Sequence, residues 1–206
     1  MGSMNKRLNY LFLSIFILFF LSCAPSSHDV LIDSFEGELN EKTVDFGSST
    51  NSSVKIEAST DKKVCGAQSL KIIYELKPSG YMWVARGFNL DVEGAGVWLI
   101  RPEQIEWQNY MGMGLYMYGT NSGGVIAFDI KDKGKEMWRF LIDDDFSGWK
   151  EIIMPFNNFF ARKDWQPQNA DNNNVLDFPI MSFQLEPRFP PKGIYYFDCV
   201  KLIKKK

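Results

Sequence analysis

Residues 110–155, YMGMGLYMYGTNSGGVIAFDIKDKGKEMWRFLIDDDFSGWKEIIMP, decide the fold class of this chain. Four short runs of apolar or alternating character follow one another there, at 110–118, 125–131, 136–142 and 149–155. Polar or glycine-rich breaks separate them. Such runs, bounded by turn residues, are typical of β-strands. The stretch therefore predicts four strands in succession.

The same pattern extends outward in both directions from this stretch. Further strands are predicted at 30–35, 54–58, 69–76, 81–88, 180–186 and 194–203. From residue 30 onward there is almost no sustained 3.6-residue periodicity, and no predicted helix alternates with the strands. About ten strands without helices predict an all-β fold, a single antiparallel β-sandwich or jelly roll that spans residues 30–206.

Residues 157–179 interrupt this pattern with a segment too long and too polar for an ordinary turn. The segment reads either as a disordered insertion or as an ordered loop of the kind that often carries function. Phe159, Phe160 and Trp165 favour the ordered loop, because large aromatic residues are uncommon in disordered segments.

The N-terminal residues are expected to direct export rather than to join the domain. Met1-Gly2-Ser3 ahead of a second methionine reads as a cloning remnant, and a basic pair then precedes an apolar run at 8–21. Leu21-Ser22-Cys23-Ala24 is similar to a lipobox, the site where bacteria attach diacylglycerol to a cysteine and cleave before it. Residues 1–22 are therefore predicted to be the remnant and a lipoprotein signal peptide. Cys23 is the predicted lipidated residue, and 23–29 form a polar tether.

This interpretation places the protein outside the cytoplasm, lipid-anchored to the bacterial cell envelope at the outer membrane or the cell surface. The lipid anchor would be its only membrane contact. The apolar run is shorter than the roughly 20 residues that a membrane-spanning helix needs. The alternative is an uncleaved N-terminal helix with an incidental cysteine.

Composition and spacing argue against several other classes of protein. The formal net charge is −2, and basic residues are scattered apart from three C-terminal lysines, which does not suit a nucleic-acid-binding protein. The single histidine, His28, lies in the tether, so no Ser-His-Asp or Cys-His arrangement exists within the domain. Asp143-Asp144-Asp145 reads as a turn rather than as the facing carboxylates of a glycosidase. We therefore expect no enzymatic activity.

Two cysteines, Cys65 and Cys199, remain after the predicted lipidated residue. An exported protein can keep a disulfide, and two cysteines allow one pairing. A disulfide requires Cα atoms about 4.4–6.8 Å apart, and the sequence leaves open whether these two meet that condition.

Several pieces of the chain, in their order and spacing, resemble the family-11 carbohydrate-binding modules and their relatives among the galactose-binding-like β-sandwiches. The pieces are DSFEG at 33–37, GAQSL at 66–70, Trp138, GW at 148–149, IMPFNNF at 153–159, RKDWQP at 162–167 and GIYYFD at 193–198. The resemblance covers nearly all of residues 30–205. It implies a concave sheet face that holds a linear β-glucan chain with aromatic rings and polar side chains.

The resemblance also implies which residues contact the sugar. Carried over by position, the family's Arg-x-Asp-aromatic group falls on Arg162, Asp164 and Trp165. Its tyrosine after the third strand falls on Tyr81, and Trp83 shares a strand face with that residue. These residue types suit a pyranose, because rings stack on its C–H face while a guanidinium and a carboxylate take its hydroxyls. The alternatives are a surface Arg–Asp pair beside a core tryptophan, and a stripe of core rings.

Other positions are expected to differ in role. Trp138 and Trp149 are assigned to the core. Where the family has an acidic and an aromatic residue near its penultimate strand, this chain has Met181 and Pro187. The family aspartate before the central tryptophan has only Asp132 as a nearby counterpart.

A structural calcium ion is predicted at a second group of acids. Glu36 lies near the start of the first strand and Asp198 lies in the last strand, and these strands are neighbours in the architecture that the resemblance implies. Related sandwiches hold calcium there, a hard cation that takes six to eight oxygens. Asp33 and the 66–69 turn would complete the set through carbonyls. The alternative is a group of hydrogen-bonded carboxylates that cap strand ends.

Together these observations predict a non-catalytic, lipid-anchored protein that binds a linear plant-type or bacterial polysaccharide, with β-glucan as the first candidate. A glycoside hydrolase or a transport system would be a partner consistent with that role. The alternative function comes from the complex I intermediate-associated protein 30 family, which resembles the same strand pattern and serves in assembly. In that case the rings would be buried or would contact a protein, with no sugar ligand.

Overall fold

The structure is a computed structural model, and it describes residues 29–206. The predictions for the signal peptide, for Cys23 and for tether residues 24–28 fall on residues outside this range. Within 29–206, no helix is both long enough and apolar enough to cross a membrane.

The described residues form strands joined by loops and by a few single-turn 3₁₀ helices. The twelve strands of this range are β1 Val30–Asp33, β2 Asp45–Ser48, β3 Ser53–Ser59, β4 Ser69–Glu75, β5 Met82–Gly87, β6 Tyr110–Thr120, β7 Gly124–Lys131, β8 Met137–Asp144, β9 Ser147–Pro155, β10 Phe160–Ala161, β11 Ser182–Phe189 and β12 Lys192–Lys204. The short 3₁₀ turns are Glu93–Ala95, Pro102–Gln104, Trp107–Asn109 and Phe156–Asn158.

These strands make two sheets. The first sheet has the order β3-β4-β12-β6-β9, with β1 paired to β12, and the second has the order β10-β8-β7-β11-β5-β2. Every pairing is antiparallel. The predicted single-domain, all-β antiparallel sandwich is confirmed.

All ten predicted strands are present, with ends that differ by at most a few residues. The sequence pattern does not predict β2 or β10, because DFGS and FA are too short to show an alternation. β10 lies within the polar segment 157–179, which is an ordered loop. The backbone N–H of Arg162 donates to the carbonyl of Met137 at 2.9 Å, and that of Asp171 donates to the carbonyl of Gly134 at 3.0 Å.

Side-chain alternation decides which residues fill the space between the sheets. In β7, Ile126, Phe128 and Ile130 are fully buried in the core. The intervening residues, Asp129 among them, point to the outer face of the second sheet, because successive side chains of a strand alternate between faces. Phe128 stacks on Phe183 of β11 with ring centroids 5.7 Å apart. The core therefore uses one side of each strand, and the outer sides are free to build a site.

Two local predictions are wrong. Asp143 and Asp144 belong to β8 rather than to a turn, and Asp144 is fully buried. Its carboxylate accepts hydrogen bonds from the backbone N–H groups of residues 120–122, so it closes the β6–β7 hairpin. Trp138 is a core residue as predicted, but Trp149 is half-exposed on the outer face of the first sheet, edge-on to Tyr118.

A disulfide joins Cys65 to Cys199, with Cα atoms 5.9 Å apart. It ties the connection between β3 and β4 to the last strand. Closing a loop of 134 residues restricts the unfolded chain strongly, and removing such a bridge typically costs about 2–5 kcal/mol. The pairing that the sequence left open is therefore present.

Candidate functional site

A groove of about 1270 Å³ lies on the outer face of the second sheet. Strand β5 and the residues before it form one side, and the segment that follows β10 forms the other. The five residues predicted to contact a sugar all line this groove: Tyr81, Trp83, Arg162, Asp164 and Trp165. The fold thus brings together two groups that are about eighty residues apart in the sequence.

Two rings form the β5 side of the groove. The centroids of Tyr81 and Trp83 lie 6.2 Å apart with the planes inclined by 29°, and the side chain of Tyr81 is 55% exposed. Trp83 Nε1 donates to Asp45 Oδ1 at 3.0 Å. Gly47 lies directly under this indole, because a Cβ there would be 2.5 Å from Cη2 of Trp83. The rings face the groove, so the alternative of a core stripe is wrong.

The opposite side is built by the residues that continue β10. Arg162 donates from Nε and Nη2 to the two oxygens of Asp164, both at 3.1 Å. The guanidinium carbon of Arg162 lies 5.6 Å from the ring centroid of Trp165, whose side chain is 53% exposed. Arg162 itself is buried. The alternative of a surface ion pair beside a core tryptophan therefore does not describe this segment.

The floor of the groove rests on charged residues that the sequence reasoning missed. Glu186 and Arg188 line the groove, and Asp129 and Arg139 lie buried beneath it. Arg139 of β8 donates from Nε and Nη2 to the two oxygens of Asp129 on β7, at 2.7 and 2.8 Å. The same Nη2 reaches Glu186 Oε2 on β11 at 2.7 Å. Arg162 joins this group by donating from Nη1 to Asp129 Oδ2 at 2.9 Å.

A signal for these residues was present in the sequence. Asp129 stands between Phe128 and Ile130, and Arg139 stands between Trp138 and Phe140. Burying a charged side chain on the outward face of such a strand costs free energy unless an opposite charge pairs with it. Which partner it finds depends on strand order, however, and that order is not a local property.

The completed network is electrically balanced. Arg188 donates to Glu186 Oε1 at 2.8 Å and lies 3.5 Å from Asp164 Oδ2, which brings the set to three guanidinium groups and three carboxylates. The hydrogen bond from Arg162 holds the pKa of Asp164 well below its usual range. Burial raises the pKa of Glu186, although the charge of Arg139 opposes that shift. The floor therefore offers donors and acceptors without a large net charge.

Two of the divergent positions have structural roles. The carboxylate of Asp132 is buried and accepts hydrogen bonds from the indole N–H of Trp138 at 3.0 Å and from the backbone of Glu136 at 2.9 Å. It shapes the β7–β8 hairpin and does not line the groove. Met181 is buried and directly precedes β11 in the chain.

The three acids predicted to hold calcium lie around β12, a central strand of the first sheet, near its pairing with β1. Asp33 is buried, and its carboxylate accepts hydrogen bonds from Nε and Nη2 of Arg86 at 2.8 and 3.0 Å. Its carboxylate is thus already paired with a guanidinium, and its proposed part in a calcium site would be its backbone carbonyl.

Glu36 and Asp198 remain as candidates for such an ion. Glu36 Oε1 accepts hydrogen bonds from the backbone of Ala67 and Gln68, and Asp198 Oδ2 accepts from Val64 and Cys65. Burial raises the pKa of Asp198, and the nearby charge of Glu36 adds to that shift. The two negative charges would favour a nearby cation, and calcium at Glu36 and Asp198 remains a proposal.

Residues 22–205 of the sequence match the carbohydrate-binding domain of family 11. No curated protein sequence matches the chain. The chain is similar in fold to several solved structures, three of which follow.

A family-11 carbohydrate-binding module from Clostridium thermocellum, in complex with a β-1,3-1,4-mixed-linked tetrasaccharide, is 23% identical with a TM-score of 0.68. The match covers 85% of this chain and 95% of that one. The family-11 module of a cellulosomal cellulase of that organism is 21% identical, with a TM-score of 0.65 over 86% and 95% of the two chains. A family-30 module of the same organism is 13% identical, with a TM-score of 0.55 over 87% and 99%. At these identities the likeness concerns the fold.

Proposed function

Because the chain belongs to family 11 of the carbohydrate-binding domains, we propose that its groove binds a linear, neutral polysaccharide, with β-glucan as the first candidate. One observation carries this proposal. Tyr81 and Trp83 stand on one side of the groove and Trp165 on the other, with a floor of ion-paired hydrogen-bonding groups between them. The mixed-linked tetrasaccharide bound to the similar Clostridium thermocellum module supports a β-glucan.

The chemistry of the groove suits the two surfaces of a sugar ring. When the C–H face of a pyranose covers an exposed aromatic ring and excludes water from it, binding is stabilised by on the order of 1 kcal/mol per ring. Arg162, Asp164 and Glu186 can share hydrogen bonds with hydroxyl groups, and charge-assisted bonds contribute about 1.5–3 kcal/mol each. Because these groups already hold one another in place, they lose little conformational entropy on binding.

The balance of charge favours a neutral glycan over an acidic one. Each guanidinium of the floor faces a carboxylate at hydrogen-bonding distance, as Arg139 does with Asp129 and Arg188 with Glu186. An acidic polysaccharide would need to separate such a pair, and it would leave the protein carboxylate without its partner. Hydroxyl groups can donate to the carboxylates and accept from the arginines without that cost.

We infer that the domain acts by binding and not by catalysis. A glycosidase needs one carboxylic acid that gives its proton to the leaving group. Asp164 does not suit that role, because its hydrogen bonds from Arg162 lower its pKa. Glu186 is held by Arg139 and Arg188 on its two oxygens.

The same proposal includes export and a lipid anchor at Cys23, which lies outside the described residues. An anchored module would hold polysaccharide near the cell envelope, at the outer membrane or the cell surface. There it would serve a glycoside hydrolase or a transport system that acts on the retained chain. The lipobox-like stretch around Cys23 supports the anchor.

Affinity electrophoresis tests the glycan proposal directly. Residues 24–206 should be retarded in gels that contain β-glucan, with xylan and mannan gels for comparison. Trp83→Ala should weaken retardation, by about fivefold in affinity, because it removes a stacking ring worth on the order of 1 kcal/mol. Trp149→Ala is the matched control, since that half-exposed tryptophan lies on the other sheet.

The outcome separates the two functions considered from the sequence. If folded protein runs unretarded in all three gels, the glycan proposal fails and an interaction or assembly role takes its place. If Trp149→Ala rather than Trp83→Ala removes retardation, the sugar binds to the first sheet and not to the groove.

A further inference from the structure

One end of the sandwich carries a pocket that the glycan site does not use. The pocket measures about 630 Å³ and lies where β6 begins and β12 ends. Its lining is mainly aromatic or apolar and includes Trp107, Tyr110, Met111, Phe156, Phe178 and Lys205. None of these residues lines the groove. The pocket is therefore a separate surface, called the end pocket below.

The rings of the end pocket hold one another in place. Phe178 stacks on Trp107 with centroids 5.3 Å apart, and it meets Phe156 edge-on with centroids 5.1 Å apart. Trp107 is buried, and its Nε1 donates to the carbonyl of Pro102 at 2.9 Å. Phe178 and Met111 nevertheless stay 39% exposed each. The end pocket thus presents an ordered apolar surface that the domain itself does not cover.

The start of the described chain lies beside the end pocket. The backbone N–H of Lys204 donates to Asp29 Oδ1 at 3.1 Å, and Lys204 is paired with Tyr110 of the pocket. The backbone N–H of Lys205 donates to the carbonyl of Asn109 at 2.9 Å. A group attached to the chain shortly before residue 29 would therefore leave the domain at the same end as the pocket.

The distance to the predicted lipid anchor is short. Residues 24–29 lead from Cys23 to the first strand, and six extended residues span at most about 22 Å. A lipid on Cys23 would thus keep this end of the domain close to the bilayer. Because the anchor also makes any contact with the bilayer intramolecular, a small apolar surface is enough to favour that contact.

The charge of this end suits an anionic lipid surface. Lys201 is paired with Asp29 and Glu151. Within residues 29–206, no carboxylate pairs with the three lysines at 204–206. The exposed Glu106 offsets one of these three positive charges. Lysines held near a membrane attract anionic headgroups, and an excess of lysine therefore accompanies the exposed rings.

We propose that the end pocket docks on the membrane surface, with Phe178 and Met111 among the lipid headgroups and the lysines at 204–206 on anionic lipids. The inference rests on the anchor that the proposed function includes, and it extends that function by giving the anchored domain one orientation. β6 runs eleven residues from Tyr110 to Thr120, about 34 Å, so the β6–β7 hairpin would lie at the end away from the bilayer.

Photo-crosslinking of the lipidated protein tests this docking. The photoreactive residue p-benzoylphenylalanine replaces Phe178 or, as the matched control, Phe189, and the protein is reconstituted in vesicles of phosphatidylethanolamine and phosphatidylglycerol. Phe189 is 56% exposed and lies opposite Val125, beside the β6–β7 hairpin at the other end of β6. Irradiation should attach phospholipid at position 178 and not at position 189, as measured by mass spectrometry of the peptides.

A charge variant tests the part played by the lysines. Lys204→Gln/Lys205→Gln/Lys206→Gln should cross-link less at position 178 in these vesicles, by about fivefold for each lysine that reaches the anionic surface. In vesicles of phosphatidylcholine alone, the variant and the unsubstituted protein should cross-link equally. Retardation of the variant in β-glucan gels should be unchanged, because none of the three lysines lines the groove.

The outcomes distinguish docking from the rest of the proposed function. Equal cross-linking at positions 178 and 189, or none at 178 in protein that carries its lipid, refutes docking while the anchor stands. A cross-link from position 178 to a protein instead of to lipid also refutes it and assigns the end pocket to a protein partner. A chain that carries no lipid at Cys23 removes the anchor and the docking together, and gel retardation reports separately on glycan binding.

Discussion

Gly47 is the residue on which the position of Trp83 depends. Its missing side chain leaves room for the indole over β2, and Asp45 two residues earlier accepts the hydrogen bond from the indole N–H. Tyr81 then stacks on the same ring. Because the indole is fixed at its polar end, the apolar ring is presented to the groove in one orientation before any ligand arrives.

Glu186 is the carboxylate on which the floor of the groove depends most. It accepts hydrogen bonds from Arg139 and Arg188, and Arg162 lies 3.4 Å from its Oε2 atom. Burial raises its pKa above the ordinary glutamic acid value of about 4.3. It is therefore expected to take up a proton on acidification before an exposed glutamate does, and its hold on the arginines would then weaken.

We predict that glycan affinity falls as the pH is lowered through a midpoint above about 4.3. The fold should survive this step. The folded chain holds the Glu186 proton more tightly than the unfolded chain does, because the pKa of Glu186 is raised on folding. Protonation of Glu186 therefore stabilises the fold at low pH, and this contribution is lost as the pH rises. Asp164 acts oppositely, since its lowered pKa contributes stability that is lost only below about 3.9. Titration calorimetry between pH 7 and pH 4 measures the affinity, and circular dichroism at each pH checks that the chain stays folded.

The matched variant for this prediction is Glu186→Gln, which keeps the shape of the side chain and removes its titration. It should bind more weakly than wild type at neutral pH and should lack the acid step. An acid step of the same midpoint in the variant would assign the pH dependence to another group.

At the scale of elements, the connection between β3 and β4 is held at several points. Its backbone donates to Asp198 of β12 and to Glu36 after β1, and the disulfide joins Cys65 to Cys199. Three elements that are distant in the sequence therefore meet beside β12, a central strand of the first sheet. A cation between Glu36 and Asp198 would add a further link at this point.

We predict that a chelator lowers the melting temperature and that added calcium restores it. Calcium at one hundred times its dissociation constant would stabilise the fold by about 2.7 kcal/mol, and each kcal/mol shifts the midpoint by roughly 2–4 °C in a domain of this size. Magnesium should restore it less well, because it demands a tighter octahedral shell. Differential scanning calorimetry measures the shift.

The variant Glu36→Gln provides the control for the calcium site. Its melting temperature should no longer respond to chelator or to calcium. A wild-type melting curve that is identical with and without chelator would contradict the proposal, and the backbone N–H groups would then account for both carboxylates.

At the scale of the whole molecule, the chain enters the domain on the sheet that does not carry the groove. β1 pairs with β12 in the first sheet, with Val30 opposite Leu202, whereas the groove lies on the outer face of the second sheet. An anchor attached before residue 29 would thus hold the domain by the first sheet. Anchoring and glycan binding would use different sheets of the molecule.

We predict that Cys23→Ser abolishes lipid attachment without changing retardation in β-glucan gels. Metabolic labelling with a fatty-acid analogue in a bacterial host measures the first effect, and affinity electrophoresis of the purified protein measures the second. Labelling that persists in the variant would show that the lipid is attached elsewhere. Wild-type protein serves as the positive control for both measurements.

The strands were largely predictable because side-chain alternation is a local property. The run at 125–131 shows its inward Ile126, Phe128 and Ile130 without reference to any other segment, and β7 is found there. The family pattern predicted that Tyr81 and the group from Arg162 to Trp165 share one face, strand alternation added Trp83, and all of them line the groove. Trp149 was misassigned because a tryptophan in an alternating strand looks the same whether its face is covered or open.

The sequence by itself determined the β-sandwich, the aromatic supply and the absence of a histidine from the domain. Only the tertiary structure decided that Arg139, Asp129 and Glu186 share one floor, since β8, β7 and β11 become neighbours through the order of the sheet. It also decided that Arg86 neutralises Asp33, and that the two cysteines meet. The physical reason is the same in each case: strand pairing and register are set by packing across the whole domain, so contacts between distant residues leave no local pattern in the chain.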